Sequence, residues 1–106
     1  MEIQQIYFVG AGGIGMANLV RYFLAKGCEV GGYDRTRTTL TEELTEEGVE
    51  LTYVDSVDNI PTKFRNKETT LVVYTPAVSE SNHILSYFRQ EGFEVVKRAV
   101  LLGKIT

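Results

Sequence analysis

The chain has 106 residues, a length typical of one domain, with 43% hydrophobic and 24% charged residues. Its formal net charge of −3 at pH 7 provides no overall attraction to nucleic acid or to an anionic membrane, so any phosphate binding must be local. The single cysteine excludes an internal disulfide, and the absence of a signal peptide or of about 18 consecutive apolar residues predicts a cytoplasmic protein without membrane contact.

The N-terminal part of the chain predicts a strand, a glycine-rich turn and a helix. Ile6–Val9 is a short apolar run typical of a strand, and four of the six residues in Gly10–Gly15 are glycines with the spacing Gly-x-Gly-x-x-Gly. Apolar residues then recur every three or four positions as far as Leu24, which predicts a helix with Gly27 as its C-terminal cap.

The glycine-rich turn carries the strongest indication of function. Gly10, Gly12 and Gly13 can adopt the backbone angles of the turn and expose their amides to an anion. Gly15 allows the helix to pack closely on the strands, and the helix N-terminus adds unpaired N–H groups and the positive end of its dipole. We therefore predict that this loop binds a phosphate or a diphosphate.

The next elements are a strand, a helix and a second strand. Glu29–Tyr33 predicts the first of these strands. We interpret Cys28, the residue before this run, as a strand residue with a buried free thiol. Thr39–Glu42 has the form of a capping box and predicts a helix that ends at Gly48. Val49–Tyr53 alternates apolar and polar residues, which predicts a strand near a sheet edge.

The second half of the chain continues the alternation of strands and helices. A short irregular piece leads into the charged stretch Lys63–Glu68, which we interpret as a solvated surface, and then into the strand Thr70–Tyr74. Three further elements, a helix, a strand and a helix, are predicted at Ser81–Glu91, Phe93–Val96 and Arg98–Leu102.

This order of elements predicts an α/β fold. Alternating helices and apolar strands form a parallel sheet covered on both faces, and right-handed crossovers make it a Rossmann-like, doubly wound, five-stranded sheet of order 3-2-1-4-5. Ligands bind such sheets beyond the carboxyl ends of the strands, where the winding reverses. The glycine loop and the loop Thr75–Val78 are therefore expected to meet at the site.

Other candidate site residues have two interpretations each. Asp34 ends the second strand, where dinucleotide sites carry an acid that binds a ribose, or it is a solvated carboxylate. Arg35 and Arg37 could contact a phosphate or remain solvated, and Thr75–Ala77 could contact a ligand or only end a strand. We predict that His83 is exposed and non-catalytic, because no catalytic constellation of serine, cysteine and acidic residues is recognised around it. No metal-ligand spacing and no catalytic constellation is found.

The motifs occur in a combination that resembles a known family. The glycine loop followed by Met16, then Asp34, the small-residue turn Thr75–Val78 and the ending Arg98–Leu102 span essentially the whole chain. Together they resemble the N-terminal domain of the Mur ligases, and in particular the members that add L-alanine to UDP-N-acetylmuramate.

The resemblance implies an ATP-dependent, amide-forming enzyme of three domains whose first domain holds the UDP of the substrate. Residues 1–106 would form this non-catalytic domain without a cofactor of its own, and ATP and Mg²⁺ would bind a central domain in the rest of the ligase chain. By the same resemblance the uridine end would face Asp34 with Arg35 or Thr36. The residues expected around the diphosphate and lining the same pocket are Gly10, Ala11, Gly12, Gly13, Ile14, Gly15, Thr75, Pro76 and Ala77.

The sequence also departs from the family pattern. Ala17 replaces the usual serine, and Asp55 aligns where many relatives carry histidine, so the roles of Asp55, Asn82 and His83 stay open. Two alternatives remain: an NAD(P)-binding domain of an oxidoreductase or regulatory module, and a nucleotide-sensing interaction domain.

Overall fold

The computed structural model describes residues 3–105, apart from the side chains of residue 14 and of residues 102–105. The strands of this part of the chain are β1 Gln5–Val9, β2 Glu29–Tyr33, β3 Glu50–Thr52, β4 Thr70–Tyr74 and β5 Glu94–Lys97. Its α-helices are α1 Ile14–Ala25, α2 Thr39–Glu46, α3 His83–Gln90 and α4 Arg98–Ile105. Two short 3₁₀ helices, Val57–Asn59 and Thr62–Phe64, lie between β3 and β4.

The strands form one parallel sheet of order β3-β2-β1-β4-β5, which confirms the predicted fold class and strand order. In the central register, Val9 pairs with Tyr33 of β2 and with Tyr74 of β4. The carboxyl ends of these three strands therefore lie at one edge of the sheet. β3 forms an outer strand, as its alternating pattern predicts.

Helices cover both faces of the sheet because successive residues of β1 point to opposite sides. Phe8 packs in one core cluster with Met16 of α1 and Leu101 of α4. Tyr7 packs in the other with Phe88 of α3. All five of these side chains are at least 95% buried. Helices α1 and α4 consequently share one face of the sheet, and α3 covers the other.

The start of α2 corrects the predicted capping box by one residue. Thr38 rather than Thr39 is the cap, and its Oγ1 accepts a hydrogen bond from the Thr41 amide at 3.2 Å. The Thr38 amide donates in return to Thr41 Oγ1 at 2.8 Å. A threonine hydroxyl thus takes the position expected for Glu42, whose carboxylate instead stands in the first turn of the helix.

Two further predictions were wrong in detail. Cys28 lies just before β2 rather than in it, and burial raises the pKa of its half-buried thiol. The charged stretch is not wholly solvated, because the Arg65 guanidinium donates hydrogen bonds to the carbonyls of Val57 at 2.6 Å and Ile60 at 3.1 Å. These bonds anchor the 3₁₀ segment, which a pattern of charges along the chain does not reveal.

Candidate functional site

A cavity of about 430 Å³ opens where the loops after β1 and β4 meet. Gly10 brings these loops together: its φ is +97°, and a Cβ built on it would lie 2.5 Å from Cγ2 of Thr75. A side chain at position 10 would therefore be strained and would push the loops apart. The lining residues are Gly10, Gly13, Tyr33, Asp34, Arg35, Asp55, Thr75, Ala77, Val78, Ser79, Ser81 and Asn82.

The structure brings together some of the predicted site residues and separates others. Those that line the cavity are Gly10, Gly13, Asp34, Arg35, Thr75 and Ala77. Ala11 is fully buried in the core, and Thr36 and Pro76 are exposed and do not line the cavity. Gly12 and Gly15, in the loop and the first turn of α1, are also outside the lining. The backbone of Ile14 begins α1, and its side chain lies outside the described residues.

The amides of the glycine loop divide into engaged and available donors. Those of Gly10 and Ala11 both donate to the Tyr33 carbonyl, at 2.7 and 3.0 Å. These two groups therefore hold the loop onto β2. The Gly13 amide makes a longer hydrogen bond to the Gly10 carbonyl, at 3.4 Å. The donors that remain for an anion are the Gly12 amide and the amides in the first turn of α1, which have no acceptor within the helix.

Asp34 lies directly behind the glycine loop. A Cβ built on Gly12 would lie 2.5 Å from Oδ2 of Asp34 and 2.7 Å from Cγ2 of Thr41. Only a residue without a side chain lets the carboxylate approach the loop this closely. Burial raises the pKa of Asp34, opposed by main-chain hydrogen bonds from Thr36 and Arg35 that lower it. Asp34 thus presents a partly desolvated acceptor at the wall of the cavity.

Asp55 and Asn82 form the far wall, and sequence reasoning assigned neither of them a role. The two Asp55 carboxylate oxygens accept hydrogen bonds from the amides of His83 at 2.9 Å and Ile84 at 3.0 Å. Oδ1 of Asn82 accepts from the Leu85 amide at 2.9 Å, so both residues cap the N-terminus of α3. The asparagine cap has a local signal in the sequence, but Asp55 is 28 positions from its partner.

His83 is exposed as predicted, with 75% of its side chain accessible, and the structure places one acid beside it. Its Nδ1 lies 3.8 Å from Oδ2 of Asp55.

In the described part of the chain, no group of three or more His, Cys, Asp or Glu side chains could hold a metal ion. None of the described helices has the length and hydropathy needed to cross a bilayer.

Comparison with known proteins assigns the family. The sequence pattern of the Mur ligase family, catalytic domain, matches residues 5–106. The chain belongs to the Mur ligase family. It is 59% identical over 105 residues to the UDP-N-acetylmuramate–L-alanine ligase of Parabacteroides distasonis and 55% identical over 104 residues to that of Phocaeicola vulgatus. These matches cover 99% and 98% of the chain and 23% of each relative.

A solved structure shares the fold of this Mur ligase chain. The UDP-N-acetylmuramate–alanine ligase MurC of Thermotoga maritima superimposes with a TM-score of 0.81 at 29% identity, covering 92% of this chain and 21% of that one. The chain therefore spans about a quarter of the length of the curated relatives it matches. These similarities confirm the family resemblance seen in the motifs and disfavour the NAD(P)-binding alternative.

Proposed function

We propose that this chain is the UDP-binding part of a UDP-N-acetylmuramate–L-alanine ligase that acts in peptidoglycan synthesis. The observation that carries the proposal is the identity of 59% over 99% of the chain to a ligase of that name. The cavity at the glycine loop supports it, because its volume falls within the range of roughly 300–1,000 Å³ that small-molecule sites occupy. Its position beyond the carboxyl ends of the strands is the expected one for a nucleotide.

The proposed binding mode follows from the donors and acceptors at the cavity. The diphosphate would lie against the amides of Gly12 and of the first turn of α1, where the helix dipole favours an anion. The uridine end would lie toward Asp34, whose carboxylate can accept hydrogen bonds from ribose hydroxyls, with Arg35 and Thr36 beside it. The loop Thr75–Ala77 would form the opposite wall.

The domain would contribute to the reaction by positioning the substrate. In the proposed reaction, ATP phosphorylates the lactyl carboxylate of UDP-N-acetylmuramate, and the amine of L-alanine attacks the acyl phosphate, forming an amide and releasing phosphate. ATP and Mg²⁺ would be bound by other domains of the ligase. Binding energy from the distant UDP then fixes the reacting carboxylate, and we assign no catalytic group to this chain.

A direct test is to titrate the chain with UDP, UDP-N-acetylmuramate, NAD and NADP while following backbone amide chemical shifts. We expect saturable binding of both uridine ligands, with the largest shifts at Gly12, Gly13 and Asp34. NAD and NADP should leave these amides unchanged at the same concentrations. Saturable binding of NAD or NADP without any response to the uridine ligands would overturn the proposal.

A further inference from the structure

The helix N-termini differ in how their positive ends are compensated. At α3, the Asp55 carboxylate accepts two amide hydrogen bonds, and at α2, Glu42 stands in the first turn. By contrast, the first turns of α1 and α4 contain no acidic residue. These two helices lie on the same face of the sheet, and both begin at its carboxyl edge. Their N-termini therefore form a neighbouring pair without protein carboxylates in their first turns.

Arg98 lies between these two N-termini. It is the first residue of α4, and its half-buried guanidinium packs on Gly15 in the first turn of α1. A Cβ built on Gly15 would lie 2.8 Å from Nη1, 3.1 Å from Cζ and 3.5 Å from Nε of Arg98. The close approach of the guanidinium to α1 thus depends on glycine at position 15.

The electrostatics of this arrangement are unusual for a helix start. Cations are unfavourable at helix N-termini, and Arg98 stands at one N-terminus and against another. Among the residues whose side chains the structure describes, no carboxylate forms an ion pair with Arg98. The two helix dipoles and the guanidinium together favour an anion at this point, and a guanidinium binds phosphate oxygens in a planar, bidentate geometry.

We propose that Arg98 binds the distal phosphate of a nucleoside diphosphate held by the glycine loop, an inference that rests on the proposed function of that loop. Asp34 follows β2 on one side of β1, and Arg98 follows β5 on the other side. An acceptor for sugar hydroxyls and a donor for phosphate therefore flank the loop. This orients the ligand with its nucleoside toward β2 and its distal phosphate, with any sugar attached to it, toward β5.

The test compares the affinities of UMP, UDP and inorganic diphosphate for the chain and its Arg98→Gln variant by calorimetry. We expect UDP and diphosphate to bind about 10-fold to 100-fold more weakly to the variant, because a charge-assisted hydrogen bond to phosphate is lost. The affinity for UMP, which lacks the distal phosphate, should differ less than about twofold between the variant and wild type. Arg98→Lys should recover part of the UDP affinity, since it restores the charge without the planar fork.

Two further variants separate this role from a general charge or folding effect. Lys67→Gln removes the same charge from an exposed residue that precedes β4 at the opposite edge of the sheet, and it should leave UDP affinity unchanged. Gly15→Ala should displace the guanidinium and weaken UDP binding, but it should have little additional effect in the Arg98→Gln background.

The outcomes for this inference and for the proposed function are distinguishable. If Arg98→Gln weakens the binding of UMP and UDP equally, or weakens the binding of neither, the role of Arg98 is refuted, while the proposal that the chain binds uridine nucleotides stands. If uridine nucleotides fail to bind but inorganic diphosphate binds in an Arg98-dependent manner, the phosphate contact is supported and the uridine assignment fails. Failure of all three ligands to bind the wild-type chain would overturn both.

Discussion

Replacing Asp55 with alanine should destabilise the fold by releasing the N-terminus of α3. The carboxylate accepts two hydrogen bonds, from the amides of His83 and Ile84, and only 28% of the Asp55 side chain is exposed. Loss of a helix cap together with its favourable charge–dipole interaction costs about 1–2 kcal/mol. In a domain of this size, such a loss lowers the melting temperature by about 4–16 °C.

Thermal unfolding followed by circular dichroism measures this effect. Two further variants distinguish the contribution of the cap from that of a surface charge. Asp55→Asn retains one acceptor oxygen without the charge, so its melting temperature should lie between those of wild type and Asp55→Ala. Asp58→Ala removes an equal charge from an exposed residue three positions later and should cost less than about 0.5 kcal/mol. If Asp55→Ala and Asp58→Ala melt at the same temperature, the carboxylate does not stabilise α3 and the reasoning fails.

Two further predictions concern the glycine loop and the acid behind it. Gly12→Ala should weaken UDP binding at least about tenfold, because its Cβ would displace the Asp34 carboxylate, while the melting temperature falls by less than about 5 °C. Calorimetry measures the loss of binding and thermal unfolding measures the loss of stability. If binding and stability are lost to the same extent, the loop has only a structural role. Asp34→Asn should weaken UDP binding but raise the free energy of unfolding at pH 7. Because the folded-state pKa of Asp34 is raised, its charge destabilises the fold above that pKa, and this cost disappears below the unfolded value of 3.8. Urea denaturation between pH 7 and a pH below 3.8 measures the free energy of unfolding of both proteins. A variant that is less stable than wild type at pH 7 would contradict the prediction.

Local patterns were enough to predict the framework of the fold. The bounds of β2 and β4 agree with the runs seen in the sequence. β4 consists mainly of strand-forming residues, whereas β2 contains two glycines and is delimited by Gly27 before it and Asp34 after it. Gly27 and Gly48 follow helix ends with φ values of +87° and +113°, a conformation that glycine adopts without strain. Right-handed crossovers and the Rossmann-like glycine turn then favour the strand order that is observed.

The far wall of the cavity and the contact at the start of α4 could not be predicted in the same way. Asp55 reaches its amide partners across 28 positions, and Arg98 packs on a glycine near the other end of the chain. No periodicity or spacing records such contacts, because they depend on which loops the parallel sheet brings to one edge. The predicted capping box of α2 was also one residue too late. The pattern expects a glutamate to accept the hydrogen bond from the cap amide, whereas the hydroxyl of Thr41 accepts it.

The sequence by itself determined the alternation of strands and helices, the position of the glycine loop and the membership of the family that its motifs suggest. These properties are local, or accumulate from local patterns, and burial of apolar residues enforces them. Only the tertiary structure decided which amides of the loop are engaged, which carboxylate caps α3, and that a guanidinium lies against the start of α1. Such contacts arise when distant segments meet at the carboxyl edge of the sheet, and their energies depend on distances that only the folded chain defines.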